Sequence, residues 1–272
     1  MNFQKIKISG WRFELSDDFP VGFPSDIVDS TSFMDGRRSP FVKLPSSKFA
    51  NVFKFNVLFK GKVHNLILKQ YLNRSPLEIL KNLLLSCRAY RAFKADLMLK
   101  QHGFAGPCIV AVGKKTAAGI PVRNFLITTE ITNSIPLHKI LETNSKQRQK
   151  IISQFGQMVG RMHAENIFIG DLRFGNVLVK PENGRFVFFM LDNERTKIFK
   201  KLPDRLRLKN LVQIYISRIN AEESERRCFL DAYLSQQNVK IDREKLAAQV
   251  AASVTKRLAA KGIFNNELTQ IK

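Results

Sequence analysis

Residues 163–196, HAENIFIGDLRFGNVLVKPENGRFVFFMLDNERT, set three polar side chains against apolar, strand-like runs. Asp171 and Asn176 stand between IFI and VLV, and Asp192 follows FVFFML. A carboxylate at the end of a buried strand is costly unless it binds something. PENGR reads as a turn between two short strands, so the returning strand carries Asp192 back toward Asn176. An Asn and an Asp together offer the hard oxygens that suit Mg²⁺ and the phosphates it bridges. Asp171, on the same loop, is placed to take a proton from an attacking hydroxyl.

Upstream, FANVFKFNVLFKGKVHNLILKQY alternates apolar and polar residues around KGK, which predicts a hairpin with strands near 49–59 and 63–71. Lys69 falls near the end of its second strand, where a lysine would complete a phosphate site. Residues 16–48, rich in Ser, Asp, Pro and Gly, read as loop or extended chain. Ser75 as N-cap, Pro76 in the first turn and Gly103 as a stop bound a helical stretch with a break near Ser86. Two further strands are expected at about 108–113 and 122–131. SKQRQKIISQFGQMVGRMHAEN is an amphipathic helix with Ile151, Phe155, Met158, Val159 and Met162 on one face. From about residue 205 the chain reads as helical to its end, and the stripe Leu246, Val250, Val254, Leu258 is expected to pack into a core. A strand-rich half thus precedes a helix-rich half, divided near residues 132–137.

The 272 residues carry 45 Lys+Arg against 23 Asp+Glu, a net charge of +22 that favours anionic partners. Cys87, Cys108 and Cys228 show neither metal nor redox spacing and are expected as reduced thiols of a cytosolic chain. No signal-peptide pattern opens the sequence, and no apolar run reaches the length of a membrane-spanning helix.

GDLRFGNVLV resembles the D-x-x-x-x-N catalytic loop of the protein-kinase superfamily, and FFMLDNERT is similar to the strand that bears its metal-binding Asp. LKQYLNRSPLEILKNLLLSCRAYRAF, MHAENIFIGDLRFGNVLV, LDNERT and RLRLKNLVQI together resemble the bacterial lipopolysaccharide kinases acting on Kdo or heptose, over roughly residues 49 to 215. That resemblance implies an α+β, bilobal protein-kinase-like fold with a strand-rich N-lobe at 1–131 and a helical C-lobe at 132–272. It implies ATP and Mg²⁺ as cofactors, with Lys69 on the α/β-phosphates, Glu130 at the adenine through its backbone, Asp171 as base, and Asn176 and Asp192 as metal ligands. His163, just before the loop, is expected to pack rather than react. The implied acceptor is a lipid-linked core oligosaccharide, reached by peripheral contact with the cytoplasmic face of the anionic inner membrane. Neither nucleic acid nor an obligate protein partner is expected.

The chain also departs from the wider superfamily. LPSSKFANV stands where a Gly-rich loop would be, with the backbone of Ser46, Ser47 and Lys48 as its substitute over the phosphates. Glu78 lies early and Asp96 late for the helix partner of Lys69. Gly170 takes the place of the arginine that commonly precedes the catalytic Asp. Another small-molecule or protein kinase, or a non-catalytic pseudokinase, therefore stays open as an alternative. Six basic residues, Lys197, Lys200, Lys201, Arg205, Arg207 and Lys209, begin just past Asp192. They are expected either to gather an anionic acceptor or to form a solvated face.

Overall fold

The computed structural model describes residues 2–23, 27, 41–73, 86–117, 119–143, 145–217, 221–239, 241–260 and 262. The chain divides into two units, Met1–Thr132 and Asn133–Lys272.

The first unit is built on a seven-stranded antiparallel sheet in the order β1-β2-β6-β7-β5-β4-β3. Its strands are β1 (Phe3–Ile8), β2 (Trp11–Ser16), β3 (Val42–Leu44), β4 (Ala50–Phe59), β5 (Lys62–Tyr71), β6 (Ile109–Ala117) and β7 (Ile120–Thr129). β4 and β5 form the expected hairpin, paired from Ala50↔Tyr71 to Phe59↔Lys62. Alternation sends Phe53, Phe55, Leu66 and Leu68 to one face, where they pack with Trp11, Phe13, Leu15, Phe125 and Ile127. The opposite face carries Tyr71, Val112 and Leu126 against Ala89, Ala92 and Phe93 of helix α1 (Arg88–Gln101). Cys87, the residue before α1, makes no side-chain cap. The buried Asn124 of β7 supplies one instead, its Oδ1 accepting from the Ala89 N–H at 3.0 Å.

Two strands beyond those expected open the chain. KIKISGWRFEL alternates around Ser9–Gly10, both at positive φ, and β1 pairs with β2 from Phe3↔Ser16 to Ile8↔Trp11. β1 lies at the sheet edge with Ile6 and Ile8 only partly buried. Within 16–48, read as loop or extended chain, residues 42–44 are extended. β3 pairs with β4, and Phe19, Phe23 and Ile27 join the sheet's apolar cluster. Ser75, Pro76 and Glu78 lie outside the described residues.

The second unit holds β8 (Ile135–Pro136), α2 (Leu137–Thr143), α3 (Arg148–Ala164), β9 (Ile167–Phe168), β10 (Val177–Glu182), β11 (Arg185–Met190), β12 (Lys197–Ile198), α4 (Asp204–Ile216), α5 (Glu223–Leu234) and α6 (Arg243–Ala259). On α3 the expected apolar face is buried except for Met158, which is only half-buried. Gly156 and Gly160 share the buried side because α5 crosses there. A Cβ on Gly156 would lie 2.6 Å from the Phe229 carbonyl oxygen, and one on Gly160 would strike that of Tyr233. Leu246, Val250 and Val254 of α6 are buried, while Leu258, the fourth residue of the expected stripe, is only half-buried.

Candidate active site

The β10–β11 hairpin brings three of the five sequence-predicted residues together. Val177 pairs with Met190, and the Leu191 N–H donates to the Asn176 carbonyl at 2.8 Å, so Asp192 follows directly beside the Asn176 backbone. Asn176 closes a single 3-10 turn, Phe174–Asn176. Its Nδ2 donates to the Asp171 carbonyl at 3.1 Å. A carbonyl only accepts, so this bond fixes the amide's orientation and leaves Oδ1 as an acceptor for a ligand. Asp192 adopts the left-handed conformation at φ 63, ψ 44. That conformation is tolerated by Asp and Asn and disfavoured for most other side chains. Asp192 and Asn176, neighbours through their backbones, offer a carboxylate and an amide oxygen, donors of the kind that would suit Mg²⁺.

Asp171 is gripped by Arg173, two residues on. Arg173 Nε and Nη2 donate to the two carboxylate oxygens at 2.7 and 2.6 Å. That fork, with the charges of Asp171 and Asp192, holds the guanidinium above its ordinary pKa despite partial desolvation. An electrostatic effect of Asp192 on Arg173 is what proximity across the hairpin demands. Arg173 is a site residue the sequence pattern did not single out. Its signal was its place inside the D-x-x-x-x-N motif.

The loop bearing Asp171 is tied from below by α4, which the sequence did not reveal. Asn210, fully buried, donates through Nδ2 to the Ile169 carbonyl at 2.6 Å and accepts from the Ile169 N–H at 3.2 Å. Gln213 accepts from the Leu172 N–H at 3.4 Å, and Ser217 accepts from the Phe174 N–H at 3.3 Å. Asn210, Gln213 and Ser217 recur at i, i+3 and i+7, so they share one side of α4 and its C-cap.

His163 completes the clamp. Asn210 Oδ1 can only accept, so His163 Nε2 donates to it (3.2 Å), and Nδ1 accepts from the Tyr233 hydroxyl (3.0 Å). Arg207 Nη1 donates in turn to Tyr233 and to Gln237. Burial pushes the His163 pKa down to about 3, against a favourable bond to Asn210 and with a further push from Arg207. The ring is neutral and structural, as its position implied.

This fixes a pH dependence. A folded-state value below the ordinary 6.5 means that the unfolded chain takes up the proton first as pH falls. The stability His163 contributes is complete above about pH 6.5 and is lost toward pH 3, by about 1.4 kcal/mol per unit between. Urea unfolding at pH 7, 6 and 5 should show this slope, and His163→Gln should flatten it by about that amount. Equal slopes in both proteins would remove His163 as its source.

Gly170 has a steric explanation. A Cβ there would lie 2.7 Å from the Arg195 carbonyl carbon and collide with the Arg195 side chain. The Asn193–Arg195 turn passes too close for the arginine found here in many protein kinases. Arg207 is a correction to the basic acceptor set, because its guanidinium is spent on Tyr233 and Gln237. Lys209 lies with Nζ 5.4 Å from the Phe168 ring centroid. Lys197, Lys200, Lys201, Arg205 and Lys209 remain exposed.

Lys69 and Glu130 belong to the first unit. Lys69 pairs across the sheet with Val52 and Leu126, its Nζ 5.2 Å from the Tyr71 ring centroid. Asp96 is 7% exposed on α1, and a carboxylate so buried requires a partner. The Glu130 N–H donates to the Asn65 carbonyl at 2.9 Å, and its carboxylate meets Lys54 Nζ at 2.6 Å. The Glu130 amide is therefore engaged within the sheet. Ser46 turns its hydroxyl to the Ala50 carbonyl at 2.8 Å, while the Ser47 hydroxyl accepts from the Phe49 N–H.

Residues 50–233, more than half of the chain, match the model of the lipopolysaccharide kinase (Kdo/WaaP) family. The chain belongs to that family. A structure of WaaP in complex with acyl carrier protein superposes with a TM-score of 0.62 at 17% identity, covering 93% of this chain and 100% of that one. The shared fold is that of the kinases, with a strand-rich first part and a helical second part. A probable bifunctional tRNA threonylcarbamoyladenosine biosynthesis protein of Methanosphaera stadtmanae is 31% identical over 143 residues, 52% of this chain. The match spans only 24% of that relative's length. Membership of a kinase family implies phosphotransfer from ATP, usually with a divalent metal. Among the described residues, no helix is long and apolar enough to cross a membrane.

Proposed function

We propose that this kinase transfers the γ-phosphoryl group of ATP to a hydroxyl of Kdo or heptose in the lipopolysaccharide inner core. The observation that carries the reading is the placing of Asp171 and Asn176 on a loop clamped by Asn210, Gln213 and Ser217, with Asp192 beside the Asn176 backbone. Asp171 takes the proton of the sugar hydroxyl as its oxygen bonds to the γ-phosphorus, and the bond to the β–γ bridging oxygen breaks to release ADP. Arg173 holds the carboxylate in one orientation and sets a fixed positive charge beside the reacting phosphoryl group. Asn176 and Asp192 hold Mg²⁺, which when bound offsets charge on the phosphates. Lys69 holds the α/β-phosphates, and the Glu130 carbonyl accepts from the adenine amino group. Most of the barrier reduction comes from positioning and charge neutralisation.

The acceptor is taken to be lipid-linked, met by peripheral contact at the cytoplasmic face of the inner membrane. The +22 charge supports this, as does the exposed group Lys197, Lys200, Lys201 and Arg205 just past Asp192. Purified protein given γ-labelled ATP, Mg²⁺ and isolated inner-core glycolipid should label the glycolipid and leave a generic protein substrate unlabelled. Label on the protein alone would replace this reading with that of a protein kinase.

A further inference from the structure

The tip of the β4–β5 hairpin is unexplained by phosphoryl transfer. Leu58 and Val63 form a cross-strand pair there, 74% and 59% exposed. Phe59, on the opposite face, is braced instead, stacked on Phe19 at 5.9 Å and 6.3 Å from His64. The tip is therefore held in place on one side while an aliphatic pair stands in water on the other.

The turn itself is chosen against its own conformational preference. Lys60 and Gly61 both have positive φ, 50° and 70°. Two-residue hairpin turns of that kind favour Asn-Gly, and a lysine in the left-handed region is strained. Lys62 follows, and both lysines are exposed. Six lysines and no Asp or Glu lie between Phe41 and Asn73. Free phosphate or nucleic acid would reward the cations but not the exposed aliphatics. The interface of an anionic bilayer rewards both, taking aliphatic tips at the acyl boundary and lysine ammonium groups at the headgroup phosphates.

We propose that this hairpin tip is a membrane-contact element, with Leu58 and Val63 entering an anionic phospholipid leaflet and Lys60 and Lys62 lying among its phosphates. The inference rests on the proposed function only in placing the chain at such a leaflet. Its deciding readout, vesicle binding, involves no phosphoryl transfer.

The full chain should co-sediment with vesicles of equal parts phosphatidylcholine and phosphatidylglycerol, and poorly with phosphatidylcholine alone. Leu58→Ser with Val63→Ser should lower the partition coefficient at least about tenfold at an unchanged thermal midpoint, because both side chains are exposed. Lys60→Asn should weaken binding while the midpoint holds or rises, since Asn suits the turn better. Phosphotransfer by the serine variant to a detergent-dispersed acceptor should match that of the unmodified chain. That comparison keeps a failure of the contact distinct from a failure of the kinase reading. Undiminished vesicle binding by the serine variant would overturn the proposal, as would equal binding to both lipid mixtures or to neither. Conversion of a dimer to a monomer by the serine variant, without vesicles, would assign the tip to a second copy of the chain and overturn it equally.

Discussion

Asp171→Asn is expected to lower turnover by about 10²–10⁴, the usual contribution of a positioned base, with folding almost untouched. The substitution keeps the side chain's shape and removes only its charge and proton affinity. The fork to Arg173 weakens, but that pair is substantially exposed at 63% and 30%, so its loss costs about 1 kcal/mol or less. Initial rates with saturating ATP, beside a thermal melt of each protein, check the claim. A well-folded variant that retains most of its turnover would take Asp171 out of the mechanism.

Asp192 should be indispensable to the metal. Asp192→Ala removes the proposed ligand and also sets an alanine at φ 63, a strain of about 1–2 kcal/mol. Asp192→Asn separates the two effects, because asparagine tolerates that conformation but carries no charge. Both variants should lose Mg²⁺-dependent phosphotransfer, while only the alanine variant melts earlier. Calorimetric titration with ATP and Mg²⁺ should show weakened binding in both. Wild-type affinity and activity in the asparagine variant would dismiss the carboxylate as a ligand.

How much of this could be read in advance follows from where each signal lies. The β4–β5 hairpin and the loop from Asp171 to Asn176 were legible because strand alternation and the D-x-x-x-x-N spacing are local patterns. The β1–β2 hairpin carries the same kind of local signal, alternation in KIKI and WRFEL about Ser9–Gly10, although β1 at the sheet edge buries its apolar side only partly. Gly170 could be seen as a departure, but its cause is Arg195, distant in sequence until the chain turns back. The clamp of Asn210 and Gln213 on Ile169 and Leu172 spans some 41 residues, and a buried amide on a helix gives no local sign of what it will bind. Arg207 misled for the opposite reason. Its charge resembles that of its exposed neighbours, and only tertiary contact directs it to Tyr233.

The central claim is that this site phosphorylates a core sugar, and the phosphate content of the product tests it most directly. Lipopolysaccharide from cells with the gene, without it, and with Asp171→Asn in its place can be compared by mass spectrometry. The account predicts the loss of one inner-core phosphate in the second and third preparations, with the phosphate mapped by fragmentation to Kdo or heptose. Identical phosphate content in all three would contradict it.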